Sequence, residues 1–212
     1  MTFVLSNSKN ILAEKLNRIE VCGGIASGKT TLANVMQGAG HEAIFENFRL
    51  NPFIENFYSD SSFYSFETEI SFLLQHYSQI KTEARQRKGF FCDYSLLLDF
   101  SYAEVTLKPS HLEIFVSVLE TVKSEIGQPG LLIHLRCDPV TQLYRIRQRD
   151  RAMESRITVQ YLDSLNRVLE QRVKQEAIHG SVLEIDSGNV DFASDPVAQS
   201  QIVDLIRNSL QR

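Results

Sequence analysis

The chain reads as a three-layer α/β fold, a five-stranded parallel sheet with helices on both faces. Three observations lead there. Five short apolar or mixed runs, "IEVCG", "HEAIFE", "GFFCDY", "LLIHLR" and "SVLEID", have the length and the β-branched or aromatic content of strands. Stretches with apolar residues at three- and four-residue spacing lie between them, and strands alternating with helices imply a parallel sheet covered on both sides. The first strand also runs straight into a glycine-rich turn and then a helix, and such sheets bind ligands at the carboxyl ends of their strands.

Ahead of the turn, "RIEVCG" is the first strand. The turn itself, "GGIASGKTT", spaces Gly23, Gly28, Lys29 and Thr30 as in the phosphate-binding loop. Glycines let the backbone curl so that successive N–H groups face phosphate oxygens, and the helix N-terminus adds partial positive charge. Lys29 is placed to reach the β- and γ-phosphates and Thr30 to ligate Mg2+. Gly23, Gly24, Ile25, Ala26, Ser27, Gly28, Lys29, Thr30 and Thr31 therefore form the candidate site for a nucleoside triphosphate, ATP. The expected fold is thus the P-loop nucleoside triphosphate hydrolase type.

The second strand, "HEAIFE", ends on Glu46. The longest helix is expected over about 62–87, where Phe63, Phe66, Ile70, Leu73, Leu74, Tyr77 and Ile80 form a stripe that reads as core. The third strand leads into Asp93, a position where many phosphate-loop enzymes keep a metal-organising carboxylate. After the fourth strand, "DPVTQLYRIRQRDR" reads as a helix carrying Arg145, Arg147, Arg149 and Arg151. Guanidinium forks suit a multiply charged phosphoryl group, so this cluster is expected to form an arginine-rich lid over about 145–156. A helix over about 158–177 places Tyr161, Leu165, Val168, Leu169 and Val173 on one face, and a last helix lies near 196–210.

The composition excludes several classes. At 212 residues and net charge −4 the chain suits a single domain and has no global basic footprint for a nucleic acid polymer. No Asn-Lys-x-Asp guanine signature appears, which argues against a GTPase switch. The three cysteines, Cys22, Cys92 and Cys137, lack metal spacing and lie near strand ends, so they read as reduced thiols. No run of 18 apolar residues is present, and "MTFVLSNSKNILAEKL" has no apolar core of signal-peptide length. A cytoplasmic chain with an N-terminal extension over 1–17 and no membrane partner is expected.

The order "ENFRLNPFIENFY", "YSFETEISFLLQHY", "FFCDYSLLLDFSYA", "LIHLRCDPVTQLYRIRQRDRAMES" and "IDSGNVDF" resembles the deoxyribonucleoside kinases, the bacterial branch in particular, over about residues 20–192. The resemblance implies ATP-dependent phosphorylation of a nucleoside 5′-hydroxyl, and a homodimer. It implies that Glu46 accepts the hydroxyl proton, that Asp93 organises the metal, and that Tyr58 and Glu154 grip the sugar 3′-hydroxyl. Glu69, His76 and Asp99 would form the base pocket, the adenine of the donor would lie against "DSGNVDF", and Arg145, Arg149 and Arg151 would close on its phosphates. Three positions depart from the family: Glu69 replaces glutamine, His76 replaces arginine, and Tyr94 stands where arginine is usual. An ionised Glu69 only accepts hydrogen bonds, which favours guanine, with its two adjacent donors, over adenine. Two alternatives remain beside this reading, a kinase of another nucleoside-like or nucleotide substrate, and a nucleotide-binding regulator weakened in catalysis at Tyr94.

Overall fold

A computed structural model of the chain describes residues 17–210. The expected N-terminal extension, apart from Asn17, lies outside the described residues. The elements follow in the order β1 (Asn17–Cys22), α1 (Lys29–Gly38), β2 (Ala43–Ile44), α2 (Ile54–Ser59), α3 (Ser61–Glu83), β3 (Gly89–Cys92), α4 (Leu96–Thr106), α5 (Pro109–Ile126), β4 (Leu131–Arg136), α6 (Pro139–Arg149), α7 (Val159–Glu176), β5 (Val182–Asp186) and α8 (Pro196–Leu210). The five strands are parallel in the order β2-β3-β1-β4-β5, so every strand ends on the same edge of the sheet.

Both faces of the sheet are covered, which is why its strands read as near-continuous apolar runs. Side chains alternate across it. Ile19, Val21, Phe91 and Ile133 pack with Leu32 and Met36 of α1 and with Ile202 and Ile206 of α8. On the other face Phe90 and Cys92 pack with Leu73 and Ile80 of α3 and with Phe115 and Leu119 of α5. The helices start where the sequence supplies caps: Asp60 accepts from Phe63 N, Ser95 from Leu98 N, and Asp138, followed by Pro139, from Val140 N and Thr141 N.

One charged pair is buried within β1. Arg18 donates from Nε to Glu20 Oε1 at 2.7 Å and to the carbonyls of Ile126 and Gly127 at 3.0 and 2.8 Å, while Glu20 Oε2 accepts from Leu96 N at 3.1 Å. The pair thereby satisfies the carboxyl end of α5 and the start of α4. Removing either partner alone would leave an uncompensated buried charge.

Two expectations need correction. The stripe on α3 is core at Leu73 and Ile80, but Phe63 and Leu74 are 68% and 46% exposed. Leu73 and Leu74 are consecutive and so point about 100° apart on a helix, which lets only one of them face the sheet. Phe63 sits in the first turn of α3 and lies edge-on to its neighbour Tyr64 instead. The second strand is also shorter than "HEAIFE", covering only Ala43 and Ile44, because the chain leaves the sheet edge there to deliver Glu46 to the next strand's end. The cysteines conform to expectation, all three buried and free.

Candidate active site

The loop after β1 turns back into α1 through two left-handed residues, Ala26 at φ 59° and Gly28 at φ 102°. Gly23 must be glycine, since a Cβ there would lie 2.5 Å from Ser27 Oγ and 2.8 Å from the Leu135 carbonyl oxygen. At Gly28 a Cβ would meet the Phe192 ring at 3.0 Å. Lys29 Nζ crosses the mouth of the loop, donating to the Gly23 carbonyl at 2.9 Å and the Gly24 carbonyl at 3.2 Å. Burial lowers the Lys29 pKa, against the pull of Glu46 and Asp93.

Asp93, one residue past β3, ties this loop to the end of β2. Its Oδ2 accepts from Thr30 Oγ1 at 2.9 Å and its Oδ1 from the Glu46 backbone N–H at 2.6 Å. Burial pushes the Asp93 carboxyl above its ordinary range, and these two bonds oppose the shift. The order of the strands brings three sequence-distant residues, Thr30, Glu46 and Asp93, into one contiguous cluster.

The Glu46 carboxylate, 34% exposed, faces His76 of α3, whose Nε2 lies 3.5 Å from Glu46 Oε1. The other ring nitrogen of His76 sits 3.0 and 2.8 Å from the two oxygens of Asp99 on α4. Burial alone would discharge His76, but Asp99 and Glu46 outweigh it and raise the pKa to about 10, so the ring is an imidazolium at neutral pH. Burial alone would raise Glu46, and His76, Lys29 and Arg151 reverse that, leaving the carboxyl below its ordinary value. The Tyr94 ring stacks on His76 with centroids 4.0 Å apart and planes 9° apart. Its hydroxyl is buried and finds no partner among the described residues.

These groups border one cleft of about 800 Å3. Ile25, Ala26, Gly28, Lys29, Thr30 and Thr31 line it, while Gly23, Gly24, Ser27 and Asp93 are not among the lining residues. Tyr58, Glu69, His76, Asp99 and Glu154 all line it, so the structure brings every residue predicted for the substrate to one place. Glu154 is buried and accepts from Arg149 Nε and Nη2, both at 2.8 Å, with Arg151 at 3.5 Å. Arg149 and Arg151 thus face the cleft from the end of α6 and the loop after it.

Arg145 also lines the cleft, but its guanidinium is taken up by backbone. It donates to the Ser187 carbonyl at 2.8 Å and the Ala26 carbonyl at 3.4 Å, joining the phosphate-binding loop to the segment after β5. Ser187, Val190, Asp191 and Phe192 of "DSGNVDF" reach the same cleft. Arg147 turns away, donating to the Ser155 carbonyl at the surface.

Sequence reasoning missed the apolar wall, to which Ile54, Phe57, Phe72, Leu98, Tyr102 and Tyr161 contribute. These come from α2, α3, α4 and α7, and no local spacing marks them. Phe72 and Tyr102 stand one helical turn or less from predicted site residues, which is the one signal that points to them.

The parallel sheet with its loop at the end of β1 and a carboxylate cluster beside it defines a P-loop phosphotransferase. The deoxynucleoside kinase family model matches residues 19–211, and the chain belongs to that family. It is 32% identical to the deoxyguanosine kinase of Bacillus subtilis over 82% of this chain and 88% of the relative. It is 27% identical to the deoxyadenosine/deoxycytidine kinase of the same organism, over 89% and 90% of the two chains. A structure of deoxyadenosine kinase from M. mycoides with bound dCTP superimposes with a TM-score of 0.76, at 23% identity over 92% of this chain and 98% of that one. The enzyme is accordingly a deoxynucleoside kinase that forms the monophosphate, and the regulator alternative is not favoured. Among the described residues no helix is long and apolar enough to cross a membrane.

Proposed function

We propose that the chain transfers the γ-phosphoryl group of ATP to the 5′-hydroxyl of a deoxyribonucleoside, with Glu46 as the base. One observation carries the assignment of roles: Asp93 holds both Thr30 of the phosphate-binding loop and the backbone of Glu46, at 2.9 and 2.6 Å. A proton acceptor is thereby fixed beside the loop that cradles the transferred group. The loop suits a triphosphate, with Gly28 in the left-handed region at φ 102° close under the Phe192 ring and Lys29 standing across its mouth. ATP with Mg2+ supplies the phosphoryl group and its counter-charge when bound, held by residues 23–31, with Thr30 and Asp93 at the metal.

Glu46 takes the hydroxyl proton, and its depressed pKa keeps it ionised and ready to do so at neutral pH. Phosphoryl transfer is catalysed chiefly by positioning and by cations, and Lys29, Arg149 and Arg151 supply those, with the stretch over about 145–156 acting as the lid. Arg145 contributes by holding the loop in shape. Tyr58 and Glu154 bind the sugar, and Phe57, Phe72 and Tyr102 wall the base that Glu69, His76 and Asp99 read. A homodimer is part of this reading, as the resemblance to the family implies. The unpaired cysteines support a reducing, cytoplasmic location.

The test is transfer of radiolabel from γ-labelled ATP to a panel of deoxy- and ribonucleosides and nucleoside monophosphates. Labelled deoxynucleoside monophosphate is the expected product. Label passing only to nucleoside monophosphates would assign the cleft to a different substrate.

A further inference from the structure

Gly24 of the phosphate-binding loop has an ordinary backbone. Gly23 and Gly28 hold positive φ, at 151° and 102°, and Gly24 does not, so its conformation is open to any residue. Space alone requires glycine there. A Cβ on Gly24 would lie 2.2 Å from Gln142 Nε2 and 2.5 Å from Asn166 Oδ1, so two side-chain amides press against the bare backbone.

The amides come from the two helices beside the loop. Gln142, wholly buried, is on α6, and Asn166 is on α7. Asn166 Nδ2 donates to the Cys137 carbonyl at 3.0 Å and to Gln142 Oε1 at 3.1 Å, while Gln142 Nε2 lies 3.4 Å from Asn166 Oδ1. The Cys137 carbonyl only accepts, which fixes the end of Asn166 that faces it and, through that, the end of Gln142 that faces Asn166. A buried amide costs stability unless its bonds are made, and an apolar pair would fill a seam between helices without that demand. Neither residue lines the cleft, so what the pair acts on is the loop.

The contact leads on to Lys29. The Gly24 carbonyl accepts from Ser27 N at 3.2 Å and from Lys29 Nζ at 3.2 Å. Arg145, one turn along α6 from Gln142, donates from Nη1 to the Ala26 carbonyl at 3.4 Å. Helix α6 thus holds the loop at two places, Gly24 by contact and Ala26 by a hydrogen bond, and it ends on Arg149 of the lid.

From this geometry we propose that Gln142 and Asn166 are positioning residues for phosphoryl transfer, a wedge of paired amides that sets the place of Gly24 and so of the carbonyl that holds Lys29. The proposal rests on the reading of the loop as the ATP site. Because Asn166 is tied to the Cys137 carbonyl at the end of β4, the wedge is backed by the sheet. With either amide cut back, Gly24 can sink into the vacated space and Lys29 moves with it, away from the transferred group.

The experiment measures kcat, the KM for ATP and the KM for the nucleoside, with a melting curve, in wild type, Gln142→Ala, Asn166→Ala, Gly24→Ala and the variant carrying both Gly24→Ala and Gln142→Ala. Gln142→Ala is expected to lower kcat/KM for ATP about tenfold to a hundredfold, the loss that a small misplacement gives, with the KM for the nucleoside unchanged. Gly24→Ala, which drives a methyl group into the amides, is expected to fall in the same way. In the combined variant the methyl group takes the place of the lost amide, so its kcat/KM for ATP should exceed that of either single variant. Where Gln142→Ala melts below the assay temperature, Asn166→Ala, at a half-buried position, carries the comparison. Folded Gln142→Ala or Asn166→Ala with wild-type kcat/KM for ATP overturns the proposal, whatever its melting curve. Losses that multiply in the combined variant overturn it as well, since the two positions then act independently, and so does a nucleoside KM that rises in step with that for ATP. A wild type that transfers no phosphoryl group from ATP overturns the reading of the loop, and the proposal with it.

Discussion

His76 Nε2 lies 3.5 Å from Glu46 Oε1 while His76 Nδ1 sits 2.8 Å from Asp99 Oδ2, so one imidazolium stands between two carboxylates. Asp99 fixes the ring and its charge, and the free edge of the ring holds Glu46 ionised. The residue lies where the resembling family has arginine, and it keeps a cation there.

Removing that cation should be read at Glu46. His76→Gln can still bond to Asp99 but carries no charge, so the acid limb of the kcat/KM profile should move up by about one pH unit or more. In wild type the lowered pKa of Glu46 keeps the base ionised as pH falls, and the limb should lie below the ordinary glutamate value. Equal limbs in the two proteins would show that His76 does not govern Glu46.

Restoring the family's arginine at Tyr94 should harm the enzyme. Tyr94 is 1% exposed and stacked on the charged His76 ring, so Tyr94→Arg buries a second cation against the first. The expected loss is about 3 kcal/mol or more in denaturant unfolding, with no gain in turnover. A variant as stable as wild type with a raised kcat would contradict this.

Lys29→Ala should lower turnover by roughly 10²- to 10³-fold or more. Among the described residues its ammonium hydrogen-bonds the Gly23 and Gly24 carbonyls alone, so the melting curve should shift little. Near wild-type turnover with an unchanged curve would remove the loop from catalysis.

Glu69 leaves a signature in stability that needs no substrate. Its folded value of about 8 lies above the ordinary 4.5, so the folded chain binds a proton that the unfolded chain releases between those values. That preference supports the fold fully below about pH 4.5 and is lost as pH rises to about 8. Glu69→Gln should therefore gain on wild type as pH rises, melting several degrees higher relative to it at about pH 8.5 than at about pH 5. A margin independent of pH would mean that Glu69 titrates normally.

What the sequence made legible follows from the range of the forces involved. The phosphate-binding loop, the five strands and the capped helices α3, α6, α7 and α8 are set by local spacing and were readable as such. Helix α4 begins "LLLDF", apolar without a 3.6-residue period because it packs against both α3 and α7, and periodicity gives it no mark. The site residues could be named one at a time from motif and resemblance. Their couplings could not, because Glu46 meets His76, Asp93 meets Thr30 and Arg145 meets Ser187 only through the parallel crossovers. For the same reason the burial that pushes the Glu69 carboxyl up to about 8 leaves no mark in the sequence, where an ionised side chain is the natural assumption.

The central claim is that Glu46, held by Asp93 beside the phosphate-binding loop, is the base that accepts the nucleoside 5′-hydroxyl proton. Its most direct test is single-turnover phosphoryl transfer by Glu46→Gln on the nucleoside that wild type uses best, with ATP affinity measured in parallel. Glutamine keeps the backbone bond to Asp93 and the shape of the side chain but cannot take the proton. The account predicts a fall of roughly 10²-fold or more in the transfer rate with ATP binding unchanged. Transfer at the wild-type rate would contradict it and move the base elsewhere, with Asp93 the next carboxylate at the loop.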